Sequence, residues 1–141
     1  MTDSPHIYKT RVRYAEVDKM GVVYHSRYIE WFEAARTEML RQLGLPYSKL
    51  EKEGVSLPVV EVRCYYRKPV LYDDLVQIET QLTHLSRSKL QLAYRVQRHQ
   101  DLTLLAEGYT VHCYIRSDGR AVRAPKELYQ FLEKVLLKDD S

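Results

Sequence analysis

Residues 14–36 read YAEVDKMGVVYHSRYIEWFEAAR, and within them the pattern changes from irregular backbone to helix. The first half has no regular period and includes Gly21, which can adopt backbone conformations that a side chain would forbid. In the second half apolar residues begin to recur every three or four positions, and this spacing predicts a helix over residues 27–43. Gly44 and Pro46 then form a strong helix stop signal.

The apolar stripe of this predicted helix is wide. Tyr28, Phe32 and Met39 define it, and Ile29 and Trp31 broaden it. A broad stripe is typical of a helix that is covered on most of its surface, so we expect this helix to be deeply buried.

The rest of the chain is rich in strand patterns. The predicted strands lie at residues 6–14, 57–67, 76–82, 90–97 and 102–115, and residues 126–138 predict a C-terminal helix. The two runs on either side of residues 86–88 are joined by a short polar turn and predict a hairpin. Because the alternation leaves one sheet face apolar, the long helix is the obvious cover for that face. The sequence therefore predicts an α+β domain of two layers with a mostly antiparallel sheet, and it leaves the strand order open.

Length and composition restrict the class of protein. A chain of 141 residues corresponds to one domain, residues 1–141, and 45% hydrophobic with 29% charged residues argues against disorder. The net charge of +3 comes from scattered basic residues, so no nucleic-acid stripe is predicted. No apolar run reaches the ~18 residues of a membrane span, and the first residues lack a signal-peptide pattern. Having only Cys64 and Cys113, the chain is expected to be cytoplasmic rather than a disulfide scaffold.

Chemically useful side chains are concentrated just before the long helix. Glu16, Asp18 and His25 lie there together, next to a helix end whose first N–H groups have no intrahelical partner. The residues alone leave two interpretations open. A carboxylate can cap the helix, which the spacing by itself favours, or it can act as a base or nucleophile beside an oxyanion-stabilising backbone.

This same stretch resembles the signature of the hotdog-fold acyl-CoA thioesterases. It is most similar to the 4-hydroxybenzoyl-CoA thioesterase group and to its Tol–Pal-associated short-chain acyl-CoA thioesterase branch. The matching elements are the Asp18-x-x-Gly21 turn, the Val-Val-Tyr-His run at 22–25, Tyr28, Glu33-Ala-x-Arg36, Arg67-Lys68-Pro69-Val70 with Asp73-Asp74, Ala106-Glu107-Gly108 and Arg123-Ala124-Pro125.

The resemblance implies a long central helix wrapped by an antiparallel β-sheet, in a homodimer or homotetramer with the acyl thioester at the dimer interface. It implies that Asp18 is the catalytic carboxylate and that Tyr14 and His25 act with it. Many members of the family have Asp where this chain has Glu16, so Glu16 competes for the role of the catalytic carboxylate.

The chemistry of thioester hydrolysis fits these residues. A backbone N–H near Tyr24 or His25 can stabilise the developing oxyanion, and the Gly21 turn brings the loop to the substrate. Asp18 can attack the carbonyl carbon to give an anhydride, or it can activate a water molecule as a general base. The thiolate is a good leaving group, and we expect no metal or other cofactor, because none of the histidines has a metal-ligand spacing.

Coenzyme A carries phosphates that need basic or backbone donors. The hairpin residues Arg87, Ser88 and Lys89 are the best candidates for this contact, and Arg123 is the second. Ser88 would also suit a pantetheine arm that lies along a strand edge.

Other functions compete with this prediction. The alternative is a non-catalytic module that binds acyl-CoA or an acyl carrier protein; a hotdog hydratase and a nucleic-acid binder have less support. The sequence leaves the acyl chain length open, together with aromatic or aliphatic preference and the choice between a coenzyme A and a carrier-protein thioester.

Overall fold

The long helix α1 spans His25–Gln42 in a computed structural model that describes residues 6–45 and 47–140. It begins two residues earlier than predicted and ends close to the predicted position, where Gly44 has a φ of +86°. Pro46, the other half of the predicted stop signal, lies outside the described residues. Two further helices follow, α2 at Tyr47–Lys52 and α3 at Lys126–Asp140.

Seven strands form one antiparallel sheet. They are β1 at His6–Arg11, β2 at Val55–Ser56, β3 at Val59–Tyr66, β4 at Leu75–Leu85, β5 at Lys89–Arg98, β6 at Leu104–Arg116 and β7 at Ala121–Val122. β1, β4, β5 and β6 are neighbours in that order. The predicted hairpin is confirmed as β4 and β5.

β3 lies at the edge of this sheet. The same stretch of β6 pairs with β5 on one side and with β3 on the other. Among the described residues β3 pairs with no other strand, so its second row of backbone groups is open. An edge strand of this kind can add a further strand.

Helix α1 packs one face against the sheet. Its buried residues are Tyr28, Trp31, Phe32, Ala35, Arg36, Met39 and Leu40. Phe32 stacks on Tyr94 of β5 with ring centroids 4.3 Å apart and planes 8° apart. This arrangement confirms the α+β class and the long helix wrapped by an antiparallel sheet that define the hotdog fold. The expectation of deep burial all round was wrong at Ile29, which is 43% exposed, because the sheet covers only one side of the helix.

A chain of polar side chains crosses the interface between helix and sheet. Arg36 donates to the Tyr94 hydroxyl at 3.4 Å, Tyr94 and Thr110 share a hydrogen bond of 2.7 Å, and Thr110 and His112 share one of 2.8 Å. At the far end, His112 Nδ1 lies 3.0 Å from the Leu57 carbonyl oxygen. Because a carbonyl oxygen only accepts, Nδ1 of His112 carries the proton and Nε2 accepts from Thr110.

Burial holds the His112 imidazole neutral. The side chain is fully buried, and desolvation is the main reason that its pKa falls from 6.5 to about 4. The hydrogen bond to the Leu57 carbonyl, second in size, raises the pKa, and the nearby Arg36 charge makes a smaller contribution that lowers it. The unfolded chain therefore binds more protons than the folded chain between about pH 4 and pH 6.5.

We expect the free energy of unfolding to fall as the pH drops through this window. The stabilisation from neutral His112 is complete above pH 6.5 and is lost progressively toward pH 4. At about 1.4 kcal/mol for each pKa unit, the loss approaches about 3 kcal/mol. Urea unfolding at several pH values would measure it.

The matched variant is His112→Asn. It should be less stable at pH 7, because buried hydrogen bonds are lost, and its stability should change less than that of the wild type between pH 6.5 and pH 4. Equal pH dependence in both proteins would contradict the assignment to His112.

Candidate active site

The Asp18 carboxylate is held by the main chain of its own turn. Its Oδ1 atom accepts hydrogen bonds from the N–H groups of Met20 at 2.8 Å and Val22 at 3.2 Å. The Asp18 N–H donates to the Val22 carbonyl, and the Gly21 N–H donates to the Asp18 carbonyl. Asp18 therefore caps this turn and does not cap α1, whose N-cap residue is Tyr24. Its Oδ2 atom has no hydrogen-bond partner in the described chain and faces an open cleft.

Gly21 supplies the backbone conformation of the turn. Its φ is +79°, in the left-handed region that L side chains rarely adopt. A Cβ atom built at this position would meet nothing within 4 Å, so the requirement for glycine is conformational and not steric.

Unpaired amides at the start of α1 lie beside the same cleft. The Tyr24 N–H, one of the two amides considered for the oxyanion, donates to the Glu16 carbonyl at 3.0 Å and is therefore occupied. The Val23 N–H donates to the Val70 carbonyl at 2.8 Å. The His25 N–H has no partner among the described residues, so of the two amides considered it is the one that is available to a ligand.

A cleft of about 1060 Å³ brings the predicted residues together. Tyr14, Asp18, Tyr24 and His25 all line it. Tyr14 is 78% exposed and meets Tyr72 edge to face at 5.7 Å. The His25 ring lies 5.3 Å from the Tyr24 ring. A carboxylate, an unpaired amide, a phenol and an imidazole thus lie at one cleft, and such a set includes groups that can act in acyl transfer.

The deeper wall of the cleft is aromatic. Tyr28 and Tyr66 pack edge to face with ring centroids 4.9 Å apart, and the Tyr66 hydroxyl donates to the His25 carbonyl at 3.2 Å. Burial raises the pKa of Tyr28 to about 12, with smaller contributions from Cys64 and Tyr66, so the phenol is neutral at physiological pH. The sequence did not indicate Tyr66, since its strand pattern does not show that the end of β3 reaches the start of α1.

Three basic residues also line the cleft. Two of them belong to the motif on which the family resemblance rests, and nothing else in the sequence indicated them. The three residues are Lys19, Arg67 and Lys68. Arg67 forms an ion pair with Glu107 at 2.9 Å, whereas the side chains of Lys19 and Lys68 have no hydrogen bond or ion pair within the described residues. The resemblance included Arg67 and Lys68 without a role for either. These charges make the cleft favourable for an anionic ligand.

The predicted coenzyme A hairpin lies elsewhere on the same chain. Arg87, Ser88 and Lys89 do not line the cleft. The Arg87 guanidinium lies over the Tyr129 ring of α3 at 4.7 Å, and its carbonyl accepts from the Ala124 N–H. The fold thus places the hairpin beside the Arg123 segment, the second candidate, and away from Asp18.

Glu16, the competing carboxylate, is buried and only 3% exposed. Its two oxygens accept hydrogen bonds from the Arg13 N–H and the Trp31 indole. Of the two carboxylates in this segment, only that of Asp18 lines the cleft. Within residues 6–45 and 47–140, no three His, Cys, Asp or Glu side chains are grouped so as to hold a metal ion.

Comparison with known proteins extends over nearly the whole chain. Residues 12–132 match the thioesterase-like superfamily. The acyl-CoA thioesterase YbgC of Haemophilus influenzae is 32% identical over 129 residues, 91% of this chain and 94% of that protein. The structure of a DHNA-CoA thioesterase from Staphylococcus aureus is similar with a TM-score of 0.88 and 30% identity, covering 95% of this chain and 92% of that one. The structure of a hypothetical protein from Thermus thermophilus is similar with a TM-score of 0.87 and 42% identity, and the match covers 92% of this chain and 98% of that one.

We expect Gly21→Val to lower both stability and turnover of an acyl thioester. A branched side chain at a φ of +79° costs at least about 1–2 kcal/mol and moves the turn that holds Asp18. Thermal unfolding and a hydrolysis assay would measure the two effects.

Gly119→Val is the matched control. Gly119 has a φ of +87°, also has nothing within 4 Å of a built Cβ, and lies outside the cleft. The Gly119→Val variant should lose a comparable amount of stability and keep normal turnover. Equal losses of turnover in the two variants, at a temperature where both are folded, would show that the Gly21 turn has no special part in the site.

Proposed function

The chain belongs to the thioesterase-like superfamily of hotdog thioester hydrolases, and from this premise we propose that it hydrolyses acyl-CoA thioesters to a free acid and coenzyme A. One observation carries the proposal. The exposed carboxylate of Asp18, fixed by two main-chain N–H groups, shares a cleft with the unpaired His25 amide. Relatives named as acyl-CoA and DHNA-CoA thioesterases support the coenzyme A thioester as substrate.

Each group has a distinct role in the proposed reaction. The His25 N–H donates to the thioester carbonyl oxygen and stabilises the negative charge that develops there. Asp18 Oδ2 either attacks the carbonyl carbon or takes a proton from a water that attacks. In the first route the thiolate leaves and water then hydrolyses the mixed anhydride; in the second the tetrahedral intermediate collapses and expels the thiolate. The His25 and Tyr14 side chains orient the thioester beside Asp18.

The charges around the cleft suit a substrate with phosphates. The ammonium groups of Lys19 and Lys68 have no partner among residues 6–45 and 47–140, and both residues line the cleft with Asp18. Arg87, Ser88 and Lys89 do not line the cleft of their own chain, so we assign their proposed contact with coenzyme A to the cleft of a second protomer. The few cysteines suit the reducing cytoplasm, where acyl-CoA is made and used.

A second protomer also has a natural place on the sheet. β3 is an edge strand, and Val59, Val60 and Val62 on it are exposed. The segment at its C-terminal end, Tyr66 to Pro69, lines the cleft. A strand added to β3 would therefore pair with its open backbone groups, place side chains beside the valines and bring the partner to the end of β3 that borders the cleft. We include a homodimer, or a tetramer of two such dimers, in the proposal.

Asp18→Asn is the central test of the mechanism. Asparagine keeps an oxygen that can accept from Met20 and Val22, so the turn should persist, but it is neither a base nor a useful nucleophile. We expect turnover to fall by ~10²–10⁴-fold with substrate affinity nearly unchanged. Release of free thiol across a panel of acyl-CoA substrates measures this and gives the acyl preference as well.

Asp101→Asn is the matched control. Asp101 Oδ1 accepts from the N–H two residues ahead, Thr103, as Asp18 Oδ1 does from Met20, but it lies outside the cleft. Its variant should hydrolyse normally. Normal turnover in Asp18→Asn would contradict the proposed mechanism. If the wild type binds acyl-CoA tightly and does not hydrolyse it, the chain is the non-catalytic binding module instead.

Single-turnover hydrolysis in ¹⁸O-labelled water distinguishes the two routes. Label in the Asp18 carboxylate indicates direct attack, and label in the released acid alone indicates a general base.

Light scattering tests the assembly. We expect a mass of at least twice 16.7 kDa at micromolar concentration. Val62→Lys, which places a charge on the β3 edge, should shift the protein toward monomer and lower activity. Leu137→Lys, an exposed apolar residue on α3, is the control and should do neither. A fully active wild-type monomer would contradict this part of the proposal.

A further inference from the structure

Glu16 is a buried carboxylate whose two oxygens are both used. Oε1 accepts from the Arg13 N–H at 2.7 Å and lies 3.5 Å from the Arg13 Nε atom. Oε2 accepts from the Trp31 indole N–H at 3.1 Å. Burying a carboxylate is costly unless it is hydrogen-bonded, so the fold retains this group together with its donors.

These contacts join two separate elements. Glu16 ends the single 3-10 turn Tyr14–Glu16, whereas Trp31 lies in the second turn of α1 and packs on Tyr28 with ring centroids 5.1 Å apart. The main-chain oxygen of Glu16 also accepts the Tyr24 N–H at 3.0 Å. Glu16 thus contacts the helix through its side chain and the residue before His25 through its backbone, and it lies two positions before Asp18.

We propose that Glu16 is a positioning residue, whose side chain fixes the Asp18 loop against the start of α1 through Trp31. This inference rests on the proposed function, because the groups it positions are the Asp18 carboxylate and the His25 amide. Glu16 itself is buried beneath the loop and does not line the cleft. Its effect is therefore on the geometry of the two groups and not on contact with substrate.

Glu16→Gln is the first test. Glutamine has nearly the same shape but only one acceptor oxygen, so it cannot accept from both Arg13 and Trp31. We expect kcat to fall by ~10–10²-fold, the cost of a small misplacement of reacting groups. KM should change by less than about twofold, since the lining of the cleft is intact. Trp31 is the only tryptophan in the chain, so its fluorescence emission should also shift.

Trp31→Phe tests the path through which Glu16 acts. Phenylalanine keeps an aromatic ring against Tyr28 but removes the indole donor, and it should lower kcat as well. If both residues act through one hydrogen bond, the double variant should lose much less than the product of the two single losses. Independent, multiplicative losses would overturn the assignment of the Glu16–Trp31 contact.

A destabilised control separates positioning from general weakening. His112→Asn also loses buried hydrogen bonds, but in the core and away from the cleft, so its kcat per folded enzyme should be normal. Normal kcat in Glu16→Gln despite a shifted emission would overturn the positioning role. A large loss in Glu16→Gln with normal turnover in Asp18→Asn would make Glu16 the catalytic carboxylate and overturn both proposals. Loss in Asp18→Asn alone would overturn only this inference.

Discussion

The start of α1 is fixed by hydrogen bonds from two directions along the chain. From before the helix, the Glu16 carbonyl accepts the Tyr24 N–H; from beyond it, the Val70 carbonyl accepts the Val23 N–H. These bonds occupy the amides that precede the helix and leave the His25 amide unpaired. The turn that holds Asp18 lies between the two anchors, so the placement of the carboxylate and of the amide depends on the same few contacts. The main chain thus brings the two groups together within the loop, and the Glu16 side chain joins that loop to α1 through Trp31.

Among the residues that the structure describes, two charged side chains are buried, and their environments differ. Glu16 lies where the loop meets α1 and has one backbone and one side-chain donor. Arg36 lies about three turns after the start of α1. It contacts a row of hydroxyl groups that ends at the neutral imidazole of His112. The first arrangement joins a loop to a helix, and the second joins the helix to the sheet. In both, satisfied hydrogen bonds specify one geometry where apolar packing alone would tolerate several.

Much of the fold could be predicted from the sequence because its patterns are local. The helix stripe, the hairpin around residues 86–88 and the glycine turn at Gly21 all depend on neighbours along the chain. The motif also located the cleft, since Tyr14, Asp18 and His25 lie close together in the sequence. Tyr66 and the occupied Tyr24 amide could not be predicted, because each depends on a partner fixed only by tertiary structure. The burial of Arg36 and of His112 was not predicted for the same reason, since their partners Tyr94 and Leu57 lie 58 and 55 positions away in the chain.

The bond between the Tyr66 hydroxyl and the His25 carbonyl spans 41 positions of the chain, and this separation has a consequence for folding. Tyr66 is the last residue of β3. Among the described residues β3 pairs with β6 alone, and β6 ends at Arg116. Contacts of such high sequence separation form late, because loop-closure entropy must be overcome first. During synthesis on the ribosome, α1 can therefore form well before the aromatic wall of the cleft, which depends on β3 and so on residues as far along the chain as β6.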